Sequence, residues 1–109
     1  MSIVCDINLP EGALILDVRS KKECKSSGYL EGSVFVETPS PPLTFSQLKT
    51  LKAKLFKVVF DIKFDRFIAI YCKKGIRAKV TKDILDVWGF TNVKVLGGIE
   101  TYPLKICFK

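Results

Sequence analysis

The chain has 109 residues, 48% of them hydrophobic, and its 18 Lys and Arg residues outnumber 11 Asp and Glu residues to give a net charge of +7. This length suits one small domain with a single core, which we expect to span residues 1–109, and the composition excludes a disordered tail. The sequence shows neither an apolar run of the roughly 18 residues that a membrane span needs nor a signal-peptide pattern, so we expect a cytoplasmic protein.

The positive charge is dispersed. Lysines are spread from Lys21 to Lys109 without a dense block. Such a distribution is typical of a solvated basic surface, and it also favours small anionic ligands. Because no groove-reading motif or aromatic interleaving accompanies the lysines, we expect no nucleic-acid partner. We likewise expect no membrane partner and a monomeric protein.

The predicted strands are short apolar runs that end at turn or charged residues. They cover residues 3–4, 13–16, 33–36, 67–71 and 93–96. Predicted turns lie at residues 10–12 and 31–32, and residues 38–42 form a proline-rich surface loop. Gly97 and Gly98 predict a tight turn before a short helix at residues 99–102.

Capping boxes predict the start of two helices. Ser20 with Glu23 opens a short helix in which Cys24 is expected to face the core, and Thr44 with Gln47 opens a longer one. A third helix follows the loop after residue 72 and ends at a glycine. The apolar sides of the second and third helices are formed by Leu48, Leu51 and Leu55 and by Val80, Ile84, Val87 and Trp88.

Strands that alternate with helices over this length predict an α/β fold. We expect a doubly wound, mostly parallel five-stranded sheet flanked by helices. Ligands bind to such a sheet at the carboxyl ends of its strands. Asp17 and Arg19 follow one predicted strand, and Cys72 follows another.

The four cysteines lie at positions 5, 24, 72 and 107, and the chain contains no histidine. Their separations do not match the paired spacing of zinc modules, so we expect no metal site. A reducing cytosol disfavours disulfides. Without histidine, a Cys-His dyad is excluded, and backbone amides and basic side chains have to activate any nucleophilic cysteine.

Cys72 is the candidate nucleophile, because it separates a buried strand from a glycine-containing loop and a helix. The unpaired amides of a helix N-terminus, with a positive φ allowed at Gly75, favour an anion-binding nest. Lys73, Lys74 and Arg77 add positive charge, which favours a thiolate and an anionic substrate. The alternative is an inert buried thiol at a strand end.

Residues 71–78, Tyr-Cys-Lys-Lys-Gly-Ile-Arg-Ala, resemble the active-site loop Y-C-x-x-G-x-R-S of single-domain members of the rhodanese family. Residues 16–19 resemble the family's L-I-D-V-R, and residues 28–33 are similar to G-H-I-x-G-A. Residues 85–99 are similar to L-x-x-x-G-F-x-N-V-x-x-L-x-G-G-I. The resemblance therefore covers roughly residues 13–102, in order and with compatible spacing.

The resemblance implies a rhodanese-like fold and a sulfurtransferase without a cofactor. Cys72 would take sulfur from thiosulfate or another sulfane-sulfur donor and pass it to cyanide, a thiol or a sulfur-relay protein. Amides of the loop would cradle the terminal sulfur, and Arg77 would orient the anion. Asp17 and Arg19 resemble residues that support the loop, with a purely structural ion pair as the alternative. The implied substrate-binding residues are Lys73, Lys74, Gly75, Ile76 and Arg77.

Three residues depart from the family pattern. Tyr29 stands where the family has histidine, Ala78 replaces a frequent serine, and Cys24 occupies an aromatic core position. Two other functions stay open, a non-catalytic rhodanese-like binding module and a phosphatase or arsenate reductase. The loops of those enzymes are longer, whereas four residues separate Cys72 from Arg77, which makes a smaller pocket suited to a sulfur atom.

Overall fold

The computed structural model describes residues 7–98 and 106–108. The predicted strand at residues 3–4 and the predicted helix at residues 99–102 lie outside the described residues. In chain order the elements are β1 (Ile7–Leu9), β2 (Leu14–Asp17), α1 (Lys21–Ser27), β3 (Val34–Phe35), α2 (Phe45–Val59), β4 (Ile68–Cys72), α3 (Ile76–Val87), β5 (Val93–Gly98) and β6 (Ile106–Phe108).

The predicted α/β architecture with parallel strands is confirmed. Strands β3, β2, β4 and β5 lie side by side in that order, and every pair is parallel. Asp17 of β2 lies opposite Tyr71 of β4, so the carboxyl ends of these two strands meet at one edge of the sheet. Within the described residues this sheet has four strands, and the prediction of five is wrong in number.

β1 and β6 instead form a separate two-stranded parallel sheet, in which Ile7 lies opposite Ile106. Each of these strands is only three residues long. Three residues are too few for a recognisable alternation of apolar and polar side chains, and the two strands are far apart in sequence. Their pairing is therefore visible only in the folded chain.

β5 runs through Gly98, which corrects the turn predicted at Gly97 and Gly98. The register of β4 against β5 shifts between Ile70 and Cys72, and Gly98 lies opposite Cys72. A glycine suits an irregular pairing of this kind because it brings no side chain that the neighbouring strand has to accommodate. β5 thus reaches the edge of the sheet at which Cys72 stands.

Both predicted capping boxes are confirmed. The Ser20 hydroxyl accepts a hydrogen bond from the Glu23 amide, and the Glu23 carboxylate accepts one from the Ser20 amide. Thr44 and Gln47 make the same reciprocal pair at the start of α2. Gly28, with φ of 80°, follows α1 and ends it. These local bonds satisfy amides that the helices leave unpaired.

The sheet is covered on both faces, because every residue of β4 is buried. Ile70 and Cys72 belong to one core cluster, together with Leu51 of α2 and Leu85 of α3. Tyr71, which points to the opposite face, belongs to a second cluster. Cys72 therefore lies on the same face of the sheet as α2 and α3.

The prediction of the apolar side of α3 is wrong for one residue, Val87. Ile84 is buried, but Val87 is 85% exposed. Val87 lies about 200° round the helix from the buried Leu85, because each residue advances by about 100°. The side of α3 that packs on the sheet is instead formed by Ala78, Thr81, Ile84 and Leu85.

The cysteines differ in their covalent state. Cys107 is disulfide-bonded, whereas Cys24 and Cys72 are free thiols. The expectation that disulfides are disfavoured is therefore wrong for Cys107. It rested on the redox compartment alone, which does not show which cysteines the fold brings together. Among the described helices, none is long and apolar enough to cross a membrane.

Candidate active site

The candidate nucleophile stands where β4 meets α3. Cys72 is the last residue of β4, and α3 begins four residues later at Ile76. Gly75 between them has φ of 85°, in the left-handed region that a residue with a side chain adopts only with strain. This turn brings the Gly75 N–H to the sulfur, and it donates to Cys72 Sγ with an N···S distance of 3.0 Å.

The start of α3 lies next to this sulfur, because Gly75 is both the donor to Cys72 Sγ and the N-cap of the helix. Among the described residues no side chain caps α3, since its N-cap is Gly75. The first amides of a helix have no partner within the helix and carry its partial positive charge. An anion next to Cys72 can accept hydrogen bonds from these amides.

An open cavity of about 360 Å³ borders the sulfur. Cys72 itself is only 1% exposed, which places the thiol at the base of this cavity. The structure thus brings together most of the predicted loop residues around one space, with Gly75 contributing its amide. The lining residues are Ser40, Pro41, Cys72, Lys73, Lys74, Ile76 and Arg77.

Ser40 and Pro41 were not predicted as part of the site. They belong to the proline-rich loop between β3 and α2. Loops that follow parallel strands gather at the same edge of a sheet, so this loop's place after a strand was the available signal. Its sequence contains no residue pattern that points to Cys72.

Arg77 is bound by a carboxylate that sequence reasoning assigned only to a helix cap. Its Nη1 and Nη2 atoms donate to Oε1 and Oε2 of Glu23 at 2.6 and 2.9 Å. These hydrogen bonds lower the pKa of Glu23 to about 2 and raise the pKa of Arg77. The guanidinium is therefore held in one orientation beside Cys72, and much of its charge is balanced by Glu23.

Lys73 and Lys74 are exposed at the cavity. Neither forms an ion pair with any part of the chain that the structure describes. Their charges are consequently available to an incoming anion, whereas the fork of Arg77 already binds Glu23. The electrostatic attraction of the cavity for anions thus rests mainly on the two lysines and the amides of the loop.

Asp17 and Arg19 form a buried ion pair next to this site, with 2.7 Å between Arg19 Nη2 and Asp17 Oδ2. Asp17 also accepts a hydrogen bond from the Tyr71 hydroxyl, which in turn accepts one from the Leu30 amide. Arg19 donates to the Gly28 carbonyl. Burial raises the pKa of Asp17, but the hydrogen bonds from Arg19 and Tyr71 outweigh it and hold the pKa low. The pair ties the end of β2 to Tyr71, the residue before Cys72.

Cys24 is a hydrogen-bond donor to this cluster. Its side chain is partly buried, and Sγ lies 3.3 Å from Asp17 Oδ2. Burial, followed by the hydrogen bond to Asp17, raises the pKa of Cys24 to about 11. The thiol is therefore protonated at neutral pH. The expected packing against the core is replaced by a contact with a carboxylate at the carboxyl edge of the sheet.

Across residues 7–98 and 106–108, no group of three or more His, Cys, Asp and Glu side chains is placed to hold a metal ion.

Comparison with known proteins identifies the family. A family model described as the rhodanese-like domain matches residues 7–103. The chain belongs to the rhodanese-like domain family. Among solved structures, a rhodanese with anions from E. coli is similar, with a TM-score of 0.61 and 23% sequence identity over 85% of this chain and 98% of that chain. No curated protein matches. The predicted resemblance to the rhodanese family is thus confirmed, and the solved structure shows a shared fold.

The departures from the family pattern have different surroundings in this rhodanese-like domain. Tyr29, in the place of a histidine, is 64% exposed. Ala78, in the place of a serine, is fully buried in the first turn of α3. The tyrosine therefore lies at the surface, whereas the alanine contributes an apolar side chain to the core.

Glu23→Gln is expected to weaken the fold in a pH-dependent way. The pKa of Glu23 is lowered from 4.5 to about 2, so the pair with Arg77 stabilises the fold above pH 4.5 and loses this effect as the pH falls towards 2. We expect the variant to lower the free energy of unfolding by about 1 kcal/mol at neutral pH. The glutamine side chain can still accept the hydrogen bond from the Ser20 amide. The variant therefore removes the charge of Glu23 and keeps its part in the helix cap.

Urea denaturation of both proteins across this pH range measures the effect. The gap between their unfolding free energies should close as the pH approaches 2. A gap that is independent of pH would show that the carboxylate charge of Glu23 contributes nothing to stability.

Proposed function

We propose that the protein is a sulfurtransferase in which Cys72 carries a persulfide. The observation that carries this proposal is the 3.0 Å hydrogen bond from the Gly75 amide to Cys72 Sγ at the base of a basic cavity. A donor of this kind stabilises sulfur that bears negative charge, both on the thiolate and during its transfer. The chain has no histidine, so the amides and cations of the loop take the place of an imidazole.

The first half of the reaction loads the sulfur. The Cys72 thiolate attacks the outer sulfur of thiosulfate and forms a new S–S bond. The S–S bond of thiosulfate breaks, its electron pair leaves with sulfite, and the terminal sulfur of the persulfide keeps one negative charge. Lys73 and Lys74 attract the donor dianion, and the amides at the start of α3 hold the terminal sulfur.

The second half returns the free enzyme. Cyanide, a thiol or a sulfur-relay protein attacks the terminal sulfur, and the electron pair of the broken S–S bond returns to Cys72 as a thiolate. Each half exchanges one bond to sulfur for another, so the cycle needs no cofactor. We propose that the protein acts as a monomer.

Mass spectrometry tests the persulfide directly. After incubation with thiosulfate, the protein is expected to gain the mass of one sulfur atom, and peptide mapping should place it on Cys72. Cys24 should stay unlabelled, because its pKa of about 11 keeps it protonated. Cyanide should then remove the added mass.

The same experiment separates the alternatives. A sulfur atom on Cys24 would identify a different nucleophile. No gain in mass with any sulfane-sulfur donor would favour a non-catalytic rhodanese-like module.

A further inference from the structure

A second concave surface lies at the other end of α3. It has a volume of about 280 Å³, and among the described residues its lining consists of apolar side chains from the end of α2, the loop after it and the residues that follow α3. Phe56, Phe60 and Phe64 on it are 61%, 66% and 60% exposed. We call this surface the aromatic groove, and its aromatic residues are Phe56, Phe60, Phe64, Trp88 and Phe90.

The aromatic groove is separate from the candidate active site. Trp88 follows the last residue of α3, whereas Arg77 lies in its first turn. The 12 residues of the helix span about 18 Å at 1.5 Å per residue. The lining of the groove shares no residue with the cavity beside Cys72. Sulfur transfer at Cys72 therefore gives no reason for these aromatic side chains to be exposed.

The rings of the groove hold each other in place. Phe56 packs edge-on against Trp88 with 6.5 Å between ring centroids, and Phe64 packs against Phe90 at 5.2 Å. Clusters of exposed aromatic residues on a monomer mark sites that bind another apolar group. Because these rings already pack against each other, they lose little side-chain entropy when a ligand binds to them.

The exposed face of α2 next to the groove is positively charged. Phe45, Lys49, Lys52 and Phe56 recur at steps of four, three and four residues, so they share one exposed face. This face is about 17 Å long at 1.5 Å per residue. Among the 15 residues of α2 there are four lysines and no acidic residue. The surface is thus apolar at its ends and basic in the middle.

This charge decides between the possible occupants. A second copy of the chain would bring the same lysines face to face, which is repulsive. A membrane surface accepts protruding side chains, but it does not fill a concave groove. A helix with apolar residues on one side and carboxylates beside them fits both the groove and the lysines.

We propose that the aromatic groove and the exposed lysines of α2 form a docking site for an acidic amphipathic helix of another protein. Apolar side chains of that helix insert between Phe56, Phe60 and Trp88. Its carboxylates lie against Lys49 and Lys52. The site leaves the cavity at Cys72 open, so docking and sulfur transfer can take place together.

The single tryptophan of the chain reports on this site, because Trp88 lines the groove. The probe is a synthetic helical peptide of about five turns, with leucines at steps of four and three residues and glutamates beside them. We expect a saturable change in Trp88 fluorescence with a micromolar Kd that weakens as salt is added. The control peptide carries lysines in place of the glutamates and should not bind.

Two variants separate the apolar and the charged parts of the site. Phe60→Ser is expected to weaken binding of the acidic peptide by about tenfold. The double variant Lys49→Glu with Lys52→Glu should also weaken it and should instead bind the lysine peptide. All three side chains are exposed, so we expect both variants to fold and to load sulfur on Cys72 as the unchanged protein does.

Several outcomes would overturn the proposal. The proposal fails if the acidic peptide does not bind, or if both peptides bind equally well. If the unchanged protein binds only to phosphatidylserine vesicles, the surface is instead a lipid-binding surface. Self-association that Phe60→Ser abolishes would identify a second copy as the occupant. None of these results depends on persulfide formation, so the docking site and the proposed function are tested independently.

Discussion

Cys72→Ser is expected to abolish sulfur transfer while the fold survives. A serine hydroxyl is not ionised near neutral pH and is a poor nucleophile towards sulfur. It still fits the buried position and can accept the hydrogen bond of the Gly75 amide, which Cys72 Sγ accepts at 3.0 Å. We expect activity to fall by on the order of 10⁴-fold or more, to the uncatalysed background. Formation of thiocyanate from thiosulfate and cyanide measures it.

Cys24→Ser is the matched control for this variant. Serine at this position can still donate to Asp17, as the protonated thiol does, so activity should be retained. Circular dichroism and urea denaturation of both variants check the fold. Activity that survives Cys72→Ser and disappears in Cys24→Ser would overturn the mechanism.

Asp17→Asn is expected to cause the largest loss of stability. The carboxylate is 1% exposed and accepts hydrogen bonds from both Arg19 and Tyr71. Asparagine has nearly the same shape, but it leaves the buried guanidinium without its counter-charge and turns one acceptor into a donor. Removing one partner of a buried ion pair costs about 3–5 kcal/mol, so we expect the free energy of unfolding to fall by that amount. Urea denaturation at neutral pH measures this change.

Asp86→Asn makes the same chemical change on the surface. Asp86 pairs with Lys82 on an exposed part of α3. Exposed pairs contribute about 0–1 kcal/mol, so this variant should be close to the unchanged protein. Similar losses for the two variants would contradict the special role of burial at Asp17. The activity of folded Asp17→Asn protein, measured separately, tests the prediction that Asp17 also supports the loop.

The candidate site was predictable where its signals are local. The apolar run before Cys72, the glycine at position 75 and the spacing to Arg77 predicted a strand, a turn and a helix around one thiol. Capping boxes placed the starts of α1 and α2, because the bonds that make them lie within four residues. Local hydrogen bonds and periodic burial are encoded over a few neighbouring residues, which is why these elements follow from the sequence.

The partners of the site residues were not predictable in the same way. Glu23 and Arg77 are 54 residues apart, and neither carries a signal that names the other. The same is true of Cys24, which had been expected in the core and instead donates to Asp17. Such contacts depend on where the carboxyl ends of β2 and β4 place α1 and α3.

The sequence by itself thus determined the parallel α/β architecture, the place of Cys72 at a strand end and the loop from Cys72 to Arg77. Only the tertiary structure decided that the main sheet has four strands within the described residues, that Arg77 is bound by Glu23, and that an aromatic groove forms where the ends of α2 and α3 meet. The physical reason is distance along the chain. A backbone hydrogen bond or an apolar face is decided by neighbours in sequence, whereas an ion pair or a groove between elements exists only after the chain has closed on itself.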